Sequence, residues 1–219
     1  MYWDKEYEKK SQLWGERPSV LAAAAVEHLK RFQSTATVSI LDIGCGYGRD
    51  AFHYAEFLMC TVRGIDVSEK AIAMASKTAA EKEIANADFE VMDLKDLKDG
   101  MYDVVTASNL YQLLRKEERD ELANAVTRML KPGGVLFLST LSVNDPEHAG
   151  KGTPIAGESN SYSYQDRIYL HLCTKEELMA DFAFLNITEL NEHEYDEPRV
   201  TGEVHHHISW ILMGKRKDV

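Results

Sequence analysis

From Val38 onward, short β-branched apolar runs alternate with segments whose apolar positions recur at helical spacing. Strands are predicted at "VSILDI" (38–43), "TVRGID" (61–66), "ADFEVM" (87–92), "YDVVTAS" (102–108) and "GVLFLST" (134–140), each ending where a polar residue appears. Helices fill the intervals. One runs over 49–58; a second extends to about Lys82 behind Ser68, whose hydroxyl suits a first-turn amide; a third covers 116–129, where Pro132 and Gly133 stop it. Repeated strand-then-helix order predicts an α/β fold, a doubly wound and mostly parallel sheet with helices on both faces. An amphipathic segment over 19–32 precedes the first strand and can pack on the sheet or across its ligand edge.

After the fifth strand the pattern changes. Residues 143–167 are rich in Gly, Ser, Asn and Pro and predict no element, which in a compact fold marks a lid or binding loop. "TKEE" (174–177) then reads as a capping box, with Thr174 capping a short helix and Glu177 reaching back. Two more strands are predicted, over 184–193 and 204–214.

Composition narrows the class. The chain has 219 residues, 44% apolar and 28% charged, enough for one α/β domain with its own core. A formal net charge of −11, with a basic run only at Lys215, Arg216 and Lys217, opposes binding to nucleic acid or anionic membrane and favours a small-molecule partner. "MYWDKEYEKK" has no apolar signal core and "VLAAAAV" is far too short to span a bilayer, so a cytoplasmic location is expected. Cys45, Cys60 and Cys173 show no CxxC spacing, consistent with reduced thiols.

The chemistry-bearing motif is "ILDIGCGYGRD" (40–50), a strand running into a helix through Gly44, Gly46 and Gly48. Glycine permits positive φ and close approach of a ligand to the backbone. Arg49 occupies the place of the third glycine in a pyrophosphate-binding GxGxxG loop, so that fingerprint fails. "GKGT" (150–153) follows no strand and is not a Walker loop. Acidic residues close the second and third strands, Asp66 and Asp93. A carboxylate after strand two suits ribose hydroxyls, and one after strand three suits an exocyclic amine. Together they describe an adenosine pocket without phosphates.

The run of "ILDIGCGYG", "GIDVS", "VMD", "YDVVTASNLYQLL" and "LKPGGVLFLST" over 38–141 resembles the class I S-adenosylmethionine-dependent methyltransferases. "LWGERP" (13–18) further resembles the opening segment of the tellurite-resistance and thiopurine methyltransferase-like branch. The resemblance implies a Rossmann-like seven-stranded sheet, with the last strand inserted antiparallel between the fifth and sixth. It implies one domain over 1–219: a lid and helix at 1–37, a cofactor-binding core at 38–141, a substrate loop at 142–173, and a closing helix and strands at 174–219. It also implies that Gly44 and Gly46 lie against the methionine part of S-adenosylmethionine, with Asp42 orienting its amine. Asp66 would bind the ribose and Asp93 the adenine amine, between Val67 and Leu94. Asn109 and Tyr111 would line the cofactor and the substrate mouth, and Tyr7, Trp14 and Pro18 are lid candidates. The product would be S-adenosylhomocysteine, and the acceptor a small molecule.

A thiol, hydroxyl or protonated amine acceptor needs a base, and histidine titrates near neutral pH. An antiparallel last strand begins at the ligand edge, which puts "EVHHHISW" (203–210) near the substrate side. Period two sends His205 and His207 to one face and His206 to the other. His205 and His207 are therefore base candidates, as is His171, which shares its face with Tyr169 in "RIYLHL". His205, His207 and either His193 or His171 would supply three metal-binding nitrogens only if the fold made them converge, and no metal site is assigned. Two other functions compete: a non-catalytic module that keeps the cofactor as a ligand, and a nicotinamide-dependent oxidoreductase, against which Arg49 stands.

Overall fold

A computed structural model describes residues 2–9, 15–32, 36–98, 100–164, 168–198 and 204–217. The main sheet contains β1 (Val38–Ile43), β2 (Cys60–Asp66), β3 (Ala87–Val91), β4 (Tyr102–Ser108), β5 (Leu130–Leu141), β9 (Leu185–Pro198) and β10 (Val204–Arg216). Its order is β3-β2-β1-β4-β5-β10-β9. β1 to β5 are parallel, and β10 runs antiparallel to both β5 and β9. The helices are α1 (Tyr2–Lys9), α2 (Val20–Phe32), α3 (Arg49–Phe57), α4 (Glu69–Glu81), α5 (Lys116–Met129) and α6 (Lys175–Asp181). The expected doubly wound sheet with an inserted antiparallel strand is therefore the fold observed.

Alternation along the central strands explains why both faces are covered. Ile40, Val104 and Phe137 face one apolar layer with Leu21, Ala25 and Val26 of α2 and Ala51 and Tyr54 of α3. Their neighbours Leu41, Val105, Leu136 and Leu138 face the other, with Leu122, Val126 and Met129 of α5 and Leu178 and Phe182 at α6. A strand with apolar residues at successive positions is stable only between two helical layers. α2 packs on the sheet, the first of the two positions its amphipathicity allowed. Its start is fixed by Asp50 of α3, whose two carboxylate oxygens accept the Ser19 amide at 2.7 Å and the Ser19 hydroxyl at 2.6 Å. Ser68 caps α4 as expected, its hydroxyl accepting the Ala71 amide at 3.2 Å.

Three expectations change. β5 begins at Leu130 and passes through Pro132 and Gly133, because a register irregularity between Tyr102 and Val104 absorbs the proline within the β4–β5 ladder. Residues 143–167 are not without structure: β6 (Thr153–Pro154), β7 (Ser161–Tyr164) and β8 (Ile168–His171) form a separate antiparallel sheet. "SYSY" carries little apolar contrast, so its alternation is invisible to a hydrophobic pattern, and Leu141, Leu170 and Leu172 supply the small core beneath it. Only half of the capping box forms. Thr174 accepts the Glu177 amide at 3.2 Å, while the Glu177 carboxylate turns to His171 and Arg119 instead.

The Asp50 clamp has a measurable consequence. Asp50→Ala leaves the buried start of α2 without its acceptors and is expected to cost about 2 kcal/mol or more, since hydrogen bonds to a charged group are worth roughly 1.5–3 kcal/mol. Urea unfolding measures it; an unchanged midpoint would show that α2 is held by apolar packing alone.

Candidate functional site

The glycine loop rests on the end of β2. The Gly44 and Cys45 amides both donate to the Ile65 carbonyl, at 2.8 and 3.0 Å. Asp66 then closes the turn: Oδ2 accepts the Gly46 amide at 2.9 Å and Oδ1 accepts the Ser68 amide at 2.9 Å. Gly46 has φ of +55°, and a Cβ built there would lie 2.8 Å from the Tyr7 hydroxyl, so conformation and space both demand glycine. Gly48, also left-handed, hands the chain to α3 at Arg49.

Around this loop opens a cavity of about 650 Å³. Asp42, Gly44, Gly46, Asp66, Val67, Asp93, Leu94 and Asn109 all border it, together with Tyr7 of α1. The carboxyl ends of β1 to β4 and a helical wall from α5 thus enclose one volume, at the place where a doubly wound sheet binds ligands. Asn109, at the tip of β4, holds φ of +53° with its amide on the Ser139 carbonyl at 3.0 Å, a conformation asparagine tolerates better than most residues. α1 closes the top. Asp4 accepts the Ser68 hydroxyl at 2.7 Å and the Lys70 amide at 3.2 Å at the start of α4, and Lys70 also pairs with Glu8 at 3.3 Å. Tyr7 lies edge-on to Tyr47, whose hydroxyl donates to the Gly15 carbonyl at 2.6 Å.

The cavity floor is negative. Asp42 is 2% exposed; Oδ1 accepts the Thr106 hydroxyl at 2.7 Å, and Oδ2 is buried with no hydrogen-bond partner among the described residues. Burial first, and then the nearby Asp50 charge, push its carboxyl up to about 8. Burial also raises Asp66, against the amides of Ser68, Gly46 and Val67 that favour its charged form. Such carboxylates are receptive to a ligand that brings positive charge or hydrogen-bond donors.

Other predicted residues lie elsewhere. Tyr111 is fully buried beneath the cavity wall, its hydroxyl bonded to Asp181, so it supports the site rather than lining it. Pro18 is half-buried and not on the cavity, and Trp14 falls outside the described residues. His171 is buried, with Nδ1 2.9 Å from the Ser161 hydroxyl and Nε2 2.8 Å from Glu177. It does share a face with Tyr169, but both point into a network with Arg119, which donates to the Tyr169 hydroxyl at 3.0 Å. Burial pushes the Glu177 carboxyl up, yet its bond with His171 and the charges of His171 and Arg119 hold it below the usual range. His207 is buried against Asp145 at 3.1 Å and His205 faces Glu147 at 3.6 Å. No histidine is among the residues bordering the cavity.

Sequence reasoning missed Trp3, Met92, Leu110, Leu113 and Leu114, which complete the apolar part of the wall. The signal for the leucines was present in "NLYQLL": a 3₁₀ turn at Tyr111–Leu113 sends the tyrosine inward and leaves leucines on the cavity side.

Comparison with known proteins gives the same region a likeness. Residues 40–134 match the family model described as a methyltransferase domain. A ubiquinone biosynthesis O-methyltransferase of Neisseria meningitidis is 30% identical over 108 residues, covering 48% of this chain and 44% of that protein. The chain thus spans less than half the length of this curated relative. Among solved structures, the 1,6-didemethyltoxoflavin-N1-methyltransferase of Burkholderia thailandensis, with bound 1,6-didemethyltoxoflavin and S-adenosylhomocysteine, superposes with TM-score 0.71 at 15% identity, over 99% of this chain and 86% of that one. TehB from Haemophilus influenzae superposes with TM-score 0.67 at 17% identity, over 89% and 62%. At such identity these two show a shared fold.

The Gly46 contact makes its own prediction. Gly46→Ala should lose roughly 1–2 kcal/mol from the left-handed backbone alone, and the added methyl should lift Tyr7, raising amide exchange across residues 2–9. Adding Tyr7→Phe should restore protection of that helix without restoring the backbone loss. Equal protection in Gly46→Ala and wild type would disprove the close approach.

Proposed function

We propose that this chain, which carries the class I S-adenosylmethionine-dependent methyltransferase domain, transfers a methyl group from S-adenosylmethionine to a small-molecule acceptor. The observation that carries this reading is the Asp66-latched glycine loop, bordering a cavity also lined by Asp42, whose Oδ2 is buried with no hydrogen-bond partner among the described residues. The donor set fits the cofactor. Asp42 suits its ammonium. Asp66 accepts backbone amides on both oxygens and still has acceptor capacity for a ribose hydroxyl. Asp93, beside Val67 and Leu94, suits the adenine amine.

When bound, the cofactor supplies an already activated methyl on a sulfonium, displaced in line by the acceptor and leaving S-adenosylhomocysteine. What remains for the chain is alignment and exclusion of water. The loop and Asp66 fix the donor end, Tyr7 and Trp3 cover it, and Asn109 with Leu110 and Leu113 shape the acceptor side. With His171, His205 and His207 all engaged away from the cavity, no imidazole stands ready as base. This favours an acceptor atom that arrives already deprotonated, such as that of a neutral amine.

Calorimetric titration with S-adenosylmethionine and with NADH tests the cofactor; binding of NADH alone would overturn the proposal. Release of S-adenosylhomocysteine over a panel of thiols, phenols, amines, halides and metalloid oxyanions tests the acceptor, and tight binding with no turnover on any of them would favour the non-catalytic module. Asp66→Ala should weaken cofactor binding by roughly 1–3 kcal/mol, and unchanged affinity would remove Asp66 from the role.

Asp42 gives the pH dependence. With its carboxyl near 8, Asp42 is mostly protonated at pH 7 in the free protein, and a cation placed against Oδ2 favours the ionised form. Binding at pH 7 is therefore expected to release a proton, and affinity to rise between about pH 6 and pH 8 as the group ionises in advance. Titration in two buffers of different ionisation enthalpy measures this; Asp42→Asn should abolish the release, and no release from wild type would place the ammonium elsewhere.

A further inference from the structure

We propose that Asp145, His148 and His207 form a binding site for a transition-metal dication of the Zn²⁺ class, which ties the segment following β5 to the start of β10. None of the three borders the cavity, so the site stands independently of methyl transfer.

Asp145 is completely buried in the turn after β5. Two backbone amides orient its carboxylate: Glu147 N donates to Oδ1 at 3.1 Å and Ile208 N donates to Oδ2 at 2.9 Å. Each oxygen retains one further acceptor direction, and each of these meets an imidazole. His148 Nδ1 lies 2.8 Å from Oδ1 and His207 Nδ1 lies 3.1 Å from Oδ2. One donor atom from each residue falls within 4.8 Å of the other two. A tetrahedral ion with bonds of about 2.0–2.1 Å places its ligand atoms about 3.3 Å apart. The donor atoms, which lie within 4.8 Å of one another, have to close by at most about 1.5 Å to hold one, a distance that side-chain rotation covers.

The surroundings suit an ion of this kind. The His148 and His207 rings stack with centroids 5.5 Å apart and planes 19° from parallel, between Tyr164 on the small sheet and Tyr195 on β9. Both imidazoles are thereby restrained in rotation, and the paired amides supply the outer orientation that ligating carboxylates require. Two nitrogens and one oxygen select Zn²⁺, Co²⁺ or Ni²⁺ over Mg²⁺ or Ca²⁺. Each imidazole would ligate through Nδ1 as the tautomer with its proton on Nε2, leaving a further position to water, with Glu147 and His205 close by at 3.6 Å from one another.

A second group, His171, Cys173 and Glu177, also brings donors together, yet it is not the better candidate. The Glu177 carboxylate already balances Arg119 at 3.5 Å, and burial pushes the Cys173 thiol far above the range in which a thiolate forms.

The test uses the full chain after removal of metal by chelator. Zn²⁺ titrated by calorimetry should bind at one strong site, and Zn²⁺ should raise the unfolding temperature where Mg²⁺ does not. Co²⁺ should give the visible absorption of a low-coordinate N/O site. His148 lies on a partly exposed turn, so His148→Ala should fold as wild type while losing about tenfold or more in Zn²⁺ affinity. His193→Ala, on the neighbouring strand, should bind as wild type. Absence of Zn²⁺ binding by wild type, or equal affinity in His148→Ala, would overturn the proposal, as would loss of binding in His193→Ala with His148→Ala unaffected.

Discussion

The site depends on one carboxylate at the end of one strand. Asp66 accepts the Gly46 amide on one oxygen and the Ser68 amide on the other, so a single side chain joins the glycine loop to the turn that starts α4. Ser68 in turn caps α4 and donates to Asp4, which holds α1 over the cavity. Loop, second crossover and lid are thus linked through adjacent hydrogen bonds at the edge of β2. A ligand that engages Asp66 engages all three, which is why cofactor binding and lid closure are expected to be coupled rather than separate events.

The same region carries an electrostatic cost that explains its ligand. Asp42, Asp50 and Asp66 crowd the floor, and burial raises the carboxyls of Asp42 and Asp66. Asp50 accepts the amide and hydroxyl of Ser19 at the start of α2. Among the described residues Asp42 has only the Thr106 hydroxyl. A buried carboxylate with one oxygen unsatisfied is unfavourable in isolation and favourable beside a cation or a hydrogen-bond donor. The net charge of −11 points the same way at longer range, against polyanionic partners.

Most of the fold was legible because parallel strands buried on both faces must read as continuous apolar runs, and "VSILDI" and "YDVVTAS" do. The glycine loop and the acidic strand ends were legible for a different reason: each needs one residue type at one position. The small sheet was not. Of its strands only β8 showed, as the extended segment "RIYLHL"; β6 is two residues long and β7 is built from serine and tyrosine, so neither period nor composition separates those two from loop. Tyr111 was assigned to the cavity because it follows β4, but the 3₁₀ turn there rotates it inward onto Asp181. A turn of that kind is decided by what it packs against, not by its own residues. The Glu177 carboxylate likewise left the capping box because Arg119 and His171, distant in sequence, offered charge and hydrogen bonds together.

The histidines show where topology informs and where it stops. An antiparallel last strand does begin at the ligand edge, and β10 does so. Its register, however, sets how far beyond that edge each residue lies. β4 ends at Ser108, level with Ser139, and Ser139 pairs with Ile211. His207 is four residues further out along β10, about 13 Å at a strand's rise of roughly 3.3 Å per residue. Asp145 therefore meets it above the sheet, not at the cavity. Direction follows from strand order, whereas height follows from ladder length, and only the second separates a residue that touches the ligand from one that shapes the rim.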